Sequence, residues 1–227
     1  MMLSLPNVEK VMIYGSPNIG VFIFANDNVA LVPQDAPRKV EEAVVSTLKV
    51  RVVRCMVMKT VLLGVLVAGN NNGILVPRTI TDDELDDLKR NLRDMNIAVL
   101  PDRRNAVGNL ILVNDNAAIL DPNLSKEAVR TVSDALGVEV IQRKIAGQDL
   151  VGAVAAVSNK GIMVHPLASD EEVEYLASFF RVSGNIGTIN RGNPFIRSGI
   201  VVNTKGALVG FETTGPEIMR IHATFFS

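Results

Sequence analysis

RRNAVGNLILVNDNAAILDP, Arg103–Pro122, reads alone as a strand, a polar turn and a second strand. Its skeleton recurs in NIGVFIFANDNVALVP from Asn18, LLGVLVAGNNNGILVP from Leu62 and LVGAVAAVSNKGIMVHP from Leu150. Each copy has a glycine, an apolar run, a polar turn, a second apolar run and a proline. The opening glycines Gly20, Gly64, Gly108 and Gly152 are spaced by 44 residues, and the closing prolines Pro33, Pro77, Pro122 and Pro166 by 44, 45 and 44. A fifth, degenerate copy, IRSGIVVNTKGALVGFETTGPE from Ile196, puts Arg197 in the slot that glycine holds elsewhere. Repeats therefore start near residues 18, 62, 106, 150 and 195.

Helices obey the same ruler. Apolar residues recur at Val44, Leu88, Val132, Leu176 and Ile221, and four residues on at Leu48, Leu92, Leu136, Phe180 and Phe225. Residues at i and i+4 share one helix face, so each unit carries one buried stripe. Thr81 with Glu84 spells a capping box at the start of TDDELDDLKRNLRDM, and Ser169 with Glu172 repeats it before SDEEVEYLASFF. Short strands follow in VRVV, IAVL, VEVI and FFRVS, whereas the fifth helix runs to the chain end without one. KVMIY, Lys10–Tyr14, has the missing character and stands just before the first repeat. The expected fold is a closed α/β ring of five pseudosymmetric ββαβ units with helices outside, a single domain over residues 1–227, the N-terminal strand completing the fifth unit.

The balance of 23 basic and 24 acidic side chains hides a sorted molecule. The helical segments 34–48, 81–95, 124–136, 169–180 and 213–225 hold sixteen acidic and eight basic residues. The connecting segments 9–19, 49–63, 97–107, 138–151 and 181–197 hold twelve basic and four acidic ones. Acidic residues suit helix N-termini. The basic residues, among them Lys49, Arg51, Arg54, Lys59, Arg103, Arg104, Arg191 and Arg197, form a candidate face for phosphate or an acidic partner. Near-neutral net charge argues against a DNA-coating protein, and the longest apolar run, Val61–Gly69, is too short to span a bilayer. The start MMLSLPNVEKVMIYG lacks the long apolar core of a signal peptide. A reducing, cytosolic compartment suits a chain whose one cysteine is Cys55.

Catalytic chemistry is sparse. His165 and His222 fall in different repeats without metal-ligand spacing, so no metal site and no cofactor are expected. Cys55 follows VRVV among valines and methionines, where a buried, inert thiol is the expectation. GNNNG, Gly69–Gly73, and GNIGTINRG, Gly184–Gly192, match neither a Walker loop nor a dinucleotide fingerprint. In a ring, Gly20, Gly64, Gly108, Gly152 and Arg197 cluster about the axis, where glycine lets chains approach closely. Asn109, directly after Gly108, and Arg197 break the repeat with hydrogen-bonding groups.

NAVGNLILVNDNAAILDP, GTINRG with VVNTKGALVG, and TTGPE (Thr213–Glu217) closely resemble motifs of the archaeal and eukaryotic translation initiation factor six family, in register from about Pro17 onward. The absence of a long tail looks archaeal. The resemblance implies the pentein fold and a non-catalytic, monomeric cytoplasmic factor. Such a factor binds the large ribosomal subunit against a protein of the L14 family near the sarcin–ricin loop, without membrane or DNA, and blocks joining of the small subunit. Carried over residue by residue, the ribosome-binding candidates are Asn109, Gly108, Asn105, Arg104, Gly20, Gly64, Gly152 and Arg197. One departure is MVMKTVLLG, Met56–Gly64, where many relatives have a Gly-Ser-rich segment. The same superfamily contains guanidine-modifying hydrolases and amidinotransferases, the alternative reading, which would need Cys55 to face the pore as a nucleophile. A free RNA-binding protein is a third class, marked by salt-dependent binding to isolated RNA.

Overall fold

The computed structural model describes residues 7–227. It is a mixed α/β structure with five three-stranded sheets, one per sequence repeat. The hairpins pair Phe24–Ala25 with Val29–Pro33, Ala68–Gly69 with Gly73–Pro77, Ile111–Val113 with Ala117–Leu120, Ala155–Val157 with Gly161–Val164, and Ile200–Val202 with Ala207–Gly210. The second strand of each hairpin then takes a parallel partner: Arg51–Cys55, Asn96–Leu100, Glu139–Gln142, Ser183–Ile186 and, for the fifth sheet, Val8–Val11. Unbroken apolar runs such as Val29–Pro33 are buried throughout, as strands covered on both faces require.

The N-terminal strand does complete the fifth sheet, in parallel register Val8↔Ala207 to Val11↔Gly210. Its bounds differ from the expected Lys10–Tyr14, because Tyr14 and Gly15 adopt positive φ in a turn closed by Ile13 and Ser16. FFRVS is also displaced: Phe179 and Phe180 end the helix Asp170–Phe180, Arg181 is left-handed, and the strand begins at Ser183. A feature unforeseen in the sequence is the short helical turn at each repeat start: Ile19–Val21, Leu63–Leu66, Val107–Leu110, Val151–Val154 and Ile196–Gly199.

The longer helices are Arg38–Ala43, continued by a wider turn at Val44–Leu48, then Asp82–Asn91, Lys126–Leu136, Asp170–Phe180 and Gly215–Phe225. All ten stripe residues named from the repeat are buried to 1% exposure or less. Thr81 and Glu84 form the reciprocal capping box, and Thr214 with Glu217 forms another. At Ser169 only half of the expected box exists: Ser169 Oγ accepts from the Glu172 N–H, but the Glu172 carboxylate accepts from the Ala146 N–H, in the loop ahead of the repeat. Glu84 also reaches such a loop, accepting from the Met58 and Lys59 N–H groups at 3.0 and 2.7 Å.

Neighbouring units meet through glycine. A Cβ on Gly64 would collide with the Gly20 carbonyl, one on Gly108 with that of Gly64, and one on Gly152 with that of Gly108. On Gly20 it would collide with the Arg197 carbonyl, so the contact series passes from the fifth unit to the first. Arg197 thus occupies the glycine slot that the repeat assigns to it.

Leu88→Ala and Leu136→Ala are each expected to lose about 2–5 kcal/mol by denaturant unfolding, the range for emptying a packed core site. Deleting residues 1–15 removes the partner of Ala207–Gly210 and should lower the melting temperature markedly; melting at the full-length temperature would show that this strand is dispensable.

Candidate functional site

The first strand of each hairpin leads from a helical turn to a polar turn, so the units present two different ends. At the polar end stand Asn26, Asn70, Asn114, Ser158 and Asn203. Each asparagine Oδ1 accepts from backbone N–H groups two and three residues on, closing its own turn. Its Nδ2 donates across to the next unit: Asn26 to the Asn70 carbonyl, Asn70 to those of Asn114 and Leu136, Asn114 to those of Ser158 and Phe180, and Asn203 to those of Asn26 and Leu48. Three of them thereby cap the last turn of a neighbour's helix. Ser158 closes its own turn but is too short for the crossing.

One residue further on lie Asp27, Asn71, Asp115, Asn159 and Thr204. Asn71 Nδ2 donates to Asp27 Oδ2 and Asp115 Oδ2 at 2.9 and 2.6 Å, and Asn159 Nδ2 to the same two oxygens at 2.9 and 2.7 Å. Thr204 Oγ1 donates to Asp27 Oδ1 at 2.6 Å. Burial pushes the Asp27 carboxyl pKa up, but hydrogen bonds from Thr204, Asn71 and Asn159 outweigh it and hold the group below the ordinary range. Two carboxylates bridged by two amides make a plug whose acceptors are matched to donors, a structural arrangement without a proton to exchange. The repeat places these residues in turns; their mutual contact depends on bringing five units together.

At the other end, the residues entering the helical turns are Asn18, Leu62, Ala106, Leu150 and Phe195. Leu62, Leu150 and Phe195 are 36%, 44% and 48% exposed, an apolar set that the repeat contains but whose exposure only folding reveals. Asn109, in the third of these turns, is half-buried, and its side chain makes no hydrogen bond among the described residues. Asn105 Oδ1 accepts from Thr79 Oγ1 at 2.9 Å. Gly20, Gly64, Gly108 and Gly152 are buried in the interunit contacts, so they shape this end without offering themselves to a partner.

The expected basic face is divided. Arg54 pairs with Glu41, Arg104 with Asp102 and Asp121, and Arg51 donates to the Asn91 carbonyl. Arg197 is half-buried and lines a cavity that residues of all five units share. Lys59, Arg103 and Arg191 remain exposed in equivalent loops ahead of the helical turns. Met58, Lys59 and Arg191 have positive φ, and the first two hang on the Glu84 carboxylate.

Cys55 is buried between Val53, Val57, Leu63 and Leu88. Burial, reinforced by Glu84 and Asp87, raises its pKa to about 12, so the thiol is not a nucleophile and the guanidine-modifying alternative lacks support. His165 accepts from the Leu167 N–H through Nδ1 and packs edge-on to Phe195, a core-edge role. Among the described residues no helix is long and apolar enough to cross a membrane.

The class defined by these features is an α/β repeat protein with hydrogen-bonded unit junctions and with an unbonded amide and exposed apolar side chains at one end. Comparison with known proteins narrows it. A family model described as the eIF-6 family matches residues 8–224. Translation initiation factor 6 of Staphylothermus marinus is 42% identical over 216 residues, covering 94% of this chain and 95% of that protein. The proteins of that name from Saccharolobus islandicus and Pyrococcus abyssi are 43% and 40% identical, covering 95% of this chain and 97% and 96% of theirs. The chain belongs to the eIF-6 family.

Asp27→Asn is expected to cost about 1–3 kcal/mol near neutral pH, because amide donors then face amide donors. A depressed folded-state pKa contributes stability above the unfolded carboxylate value, and that stability is lost as pH falls through the folded value. The deficit of the variant, read from urea unfolding, should therefore shrink below about pH 4. Iodoacetamide should leave Cys55 unmodified in the native protein and label it after unfolding.

Proposed function

We propose that the five units form one closed ring of pentein type, with the longer helices outside, and that the protein is a translation factor preventing premature joining of the ribosomal subunits. The return of the glycine contacts from the fifth unit to the first, and of the asparagine crossings from Asn203 to Asn26, supports the ring. The near-complete coverage by the family supports the activity. The factor acts in the cytoplasm as a monomer, seated on the large subunit against a protein of the L14 family near the sarcin–ricin loop. Its mechanism needs affinity and placement rather than bond chemistry: a rigid body on one subunit occupies volume that the other requires.

The observation that carries the docking site is Asn109, an amide with no hydrogen bond among the described residues, at the end of the units where Leu62, Leu150 and Phe195 are exposed. Exposed apolar side chains and an unbonded amide at the same end have the make-up of an interface. Lys59, Arg103 and Arg191 in the flanking loops suit an RNA-bearing partner. Arg104, spent on two carboxylates, serves to fix the loop before Asn105 and Asn109.

The protein should co-sediment with purified large subunits and not small ones, and a stoichiometric amount should reduce the joined ribosome; equal binding to both subunits would sink the reading. Asn109→Ala should melt like the parent yet bind about 5- to 150-fold more weakly, the loss of one hydrogen bond in a desolvated contact worth about 1–3 kcal/mol. Leu62→Asp should abolish binding. Unchanged affinity in both variants would move the interface off this end.

A further inference from the structure

Arg197 is the one charged side chain at the five equivalent glycine positions, and its location is unusual. It lines a cavity of about 40 Å³ whose other walls are Ile23, Phe24, Ala25, Gly69, Val113, Ala156, Val157 and Ile200–Val202, contributed by all five units. The walls carry no carboxylate, and Arg197 makes no ion pair and no side-chain hydrogen bond among the described residues. Asp27 and Asp115 line the adjoining cavity, beyond the shared girdle of Ala25, Gly69, Val113, Val157 and Val202. Their oxygens are already taken by Asn71, Asn159 and Thr204.

We propose that Arg197 and this axial cavity form a binding site for one small monovalent inorganic anion of halide size. A guanidinium presents five N–H donors and stays protonated at neutral pH. The surrounding protein lowers the Arg197 pKa to about 10, which leaves the cation intact, and the half-buried side chain keeps part of its surface accessible. A half-buried charge on a cavity with otherwise apolar walls gains from a partner that pairs with it and accepts its hydrogen bonds. The fold supplies no anionic partner within the cavity, so the partner comes from solution. The space admits only a few water-sized particles, which fits a halide and excludes nucleotides and larger organic anions. Binding there would tie together strands from all units, so its free energy adds directly to the stability of the folded state.

The test is thermal melting of the full chain in potassium chloride or bromide against potassium glutamate at equal ionic strength, with Arg197→Gly and Arg197→Lys beside the parent. The parent should melt progressively higher with halide concentration than in glutamate. Arg197→Gly, which restores the residue of the other four units, should melt alike in both salts, and Arg197→Lys should keep part of the halide response. Crystals soaked in bromide should show an anomalous peak beside the guanidinium in the parent and none in Arg197→Gly. Equal halide dependence in the parent and Arg197→Gly, or bromide-soaked parent crystals with only water at the guanidinium, would overturn the proposal. If the glycine variant fails to fold, the bromide soak of the parent decides alone.

Discussion

One side chain, an asparagine at the hairpin turn, carries the architecture from unit to unit. Its oxygen satisfies two backbone donors in its own turn while its nitrogen satisfies carbonyls of the next unit, in three cases the counterpart residue's carbonyl and a helix end together. Each bond lies in a buried region where an unmade partner costs more than a made one contributes. A hairpin formed alone leaves the amide nitrogen unsatisfied, and a helix formed alone leaves its last carbonyls open. Local closure and assembly of neighbours are therefore coupled, and packing of glycine against carbonyl at the opposite strand end permits the approach that this coupling needs.

Repetition also explains where function can be placed. Equivalent positions face equivalent surroundings, so a departure from the repeat is tolerated only where it finds its own satisfaction or meets something external. Ser158 gives up the crossing bond and keeps only the closure of its own turn, accepting from the Lys160 and Gly161 N–H groups. Asn109 and Arg197 are departures of the other kind. One leaves an amide without a hydrogen bond among the described residues, and the other brings a charge to a cavity that holds no carboxylate, so both point to partners outside the chain.

Much of the fold was legible because its signals are local and repeated. The stripe from Val44 to Ile221 needed only helical periodicity, and the buried thiol of Cys55 only its apolar neighbours. Misplaced elements had equally local causes. Glu172 was read as a capping partner because Ser169-x-x-Glu172 has the right spacing, but the Ala146 N–H offered a competing donor from a distant loop. FFRVS has strand-like residues, yet Phe180 belongs to the helical stripe and Arg181 must turn left-handed before a strand can start. The basic face failed as a count because charge pairing is decided across elements: Arg104 and Arg54 found acids that linear spacing did not assign to them.

The sequence by itself determined the unit, its number, the buried stripe and the need for an N-terminal strand in the fifth sheet, since each follows from spacing along one chain. Tertiary structure alone decided that Leu62, Leu150 and Phe195 are exposed together and that Asp27 and Asp115 share two amides. It alone decided that Arg197 lines a cavity shared by all five units. Those outcomes depend on which atoms of different units come within a few ångströms of one another, and periodicity, which fixes the face of an element, carries no information about what another unit brings to that face.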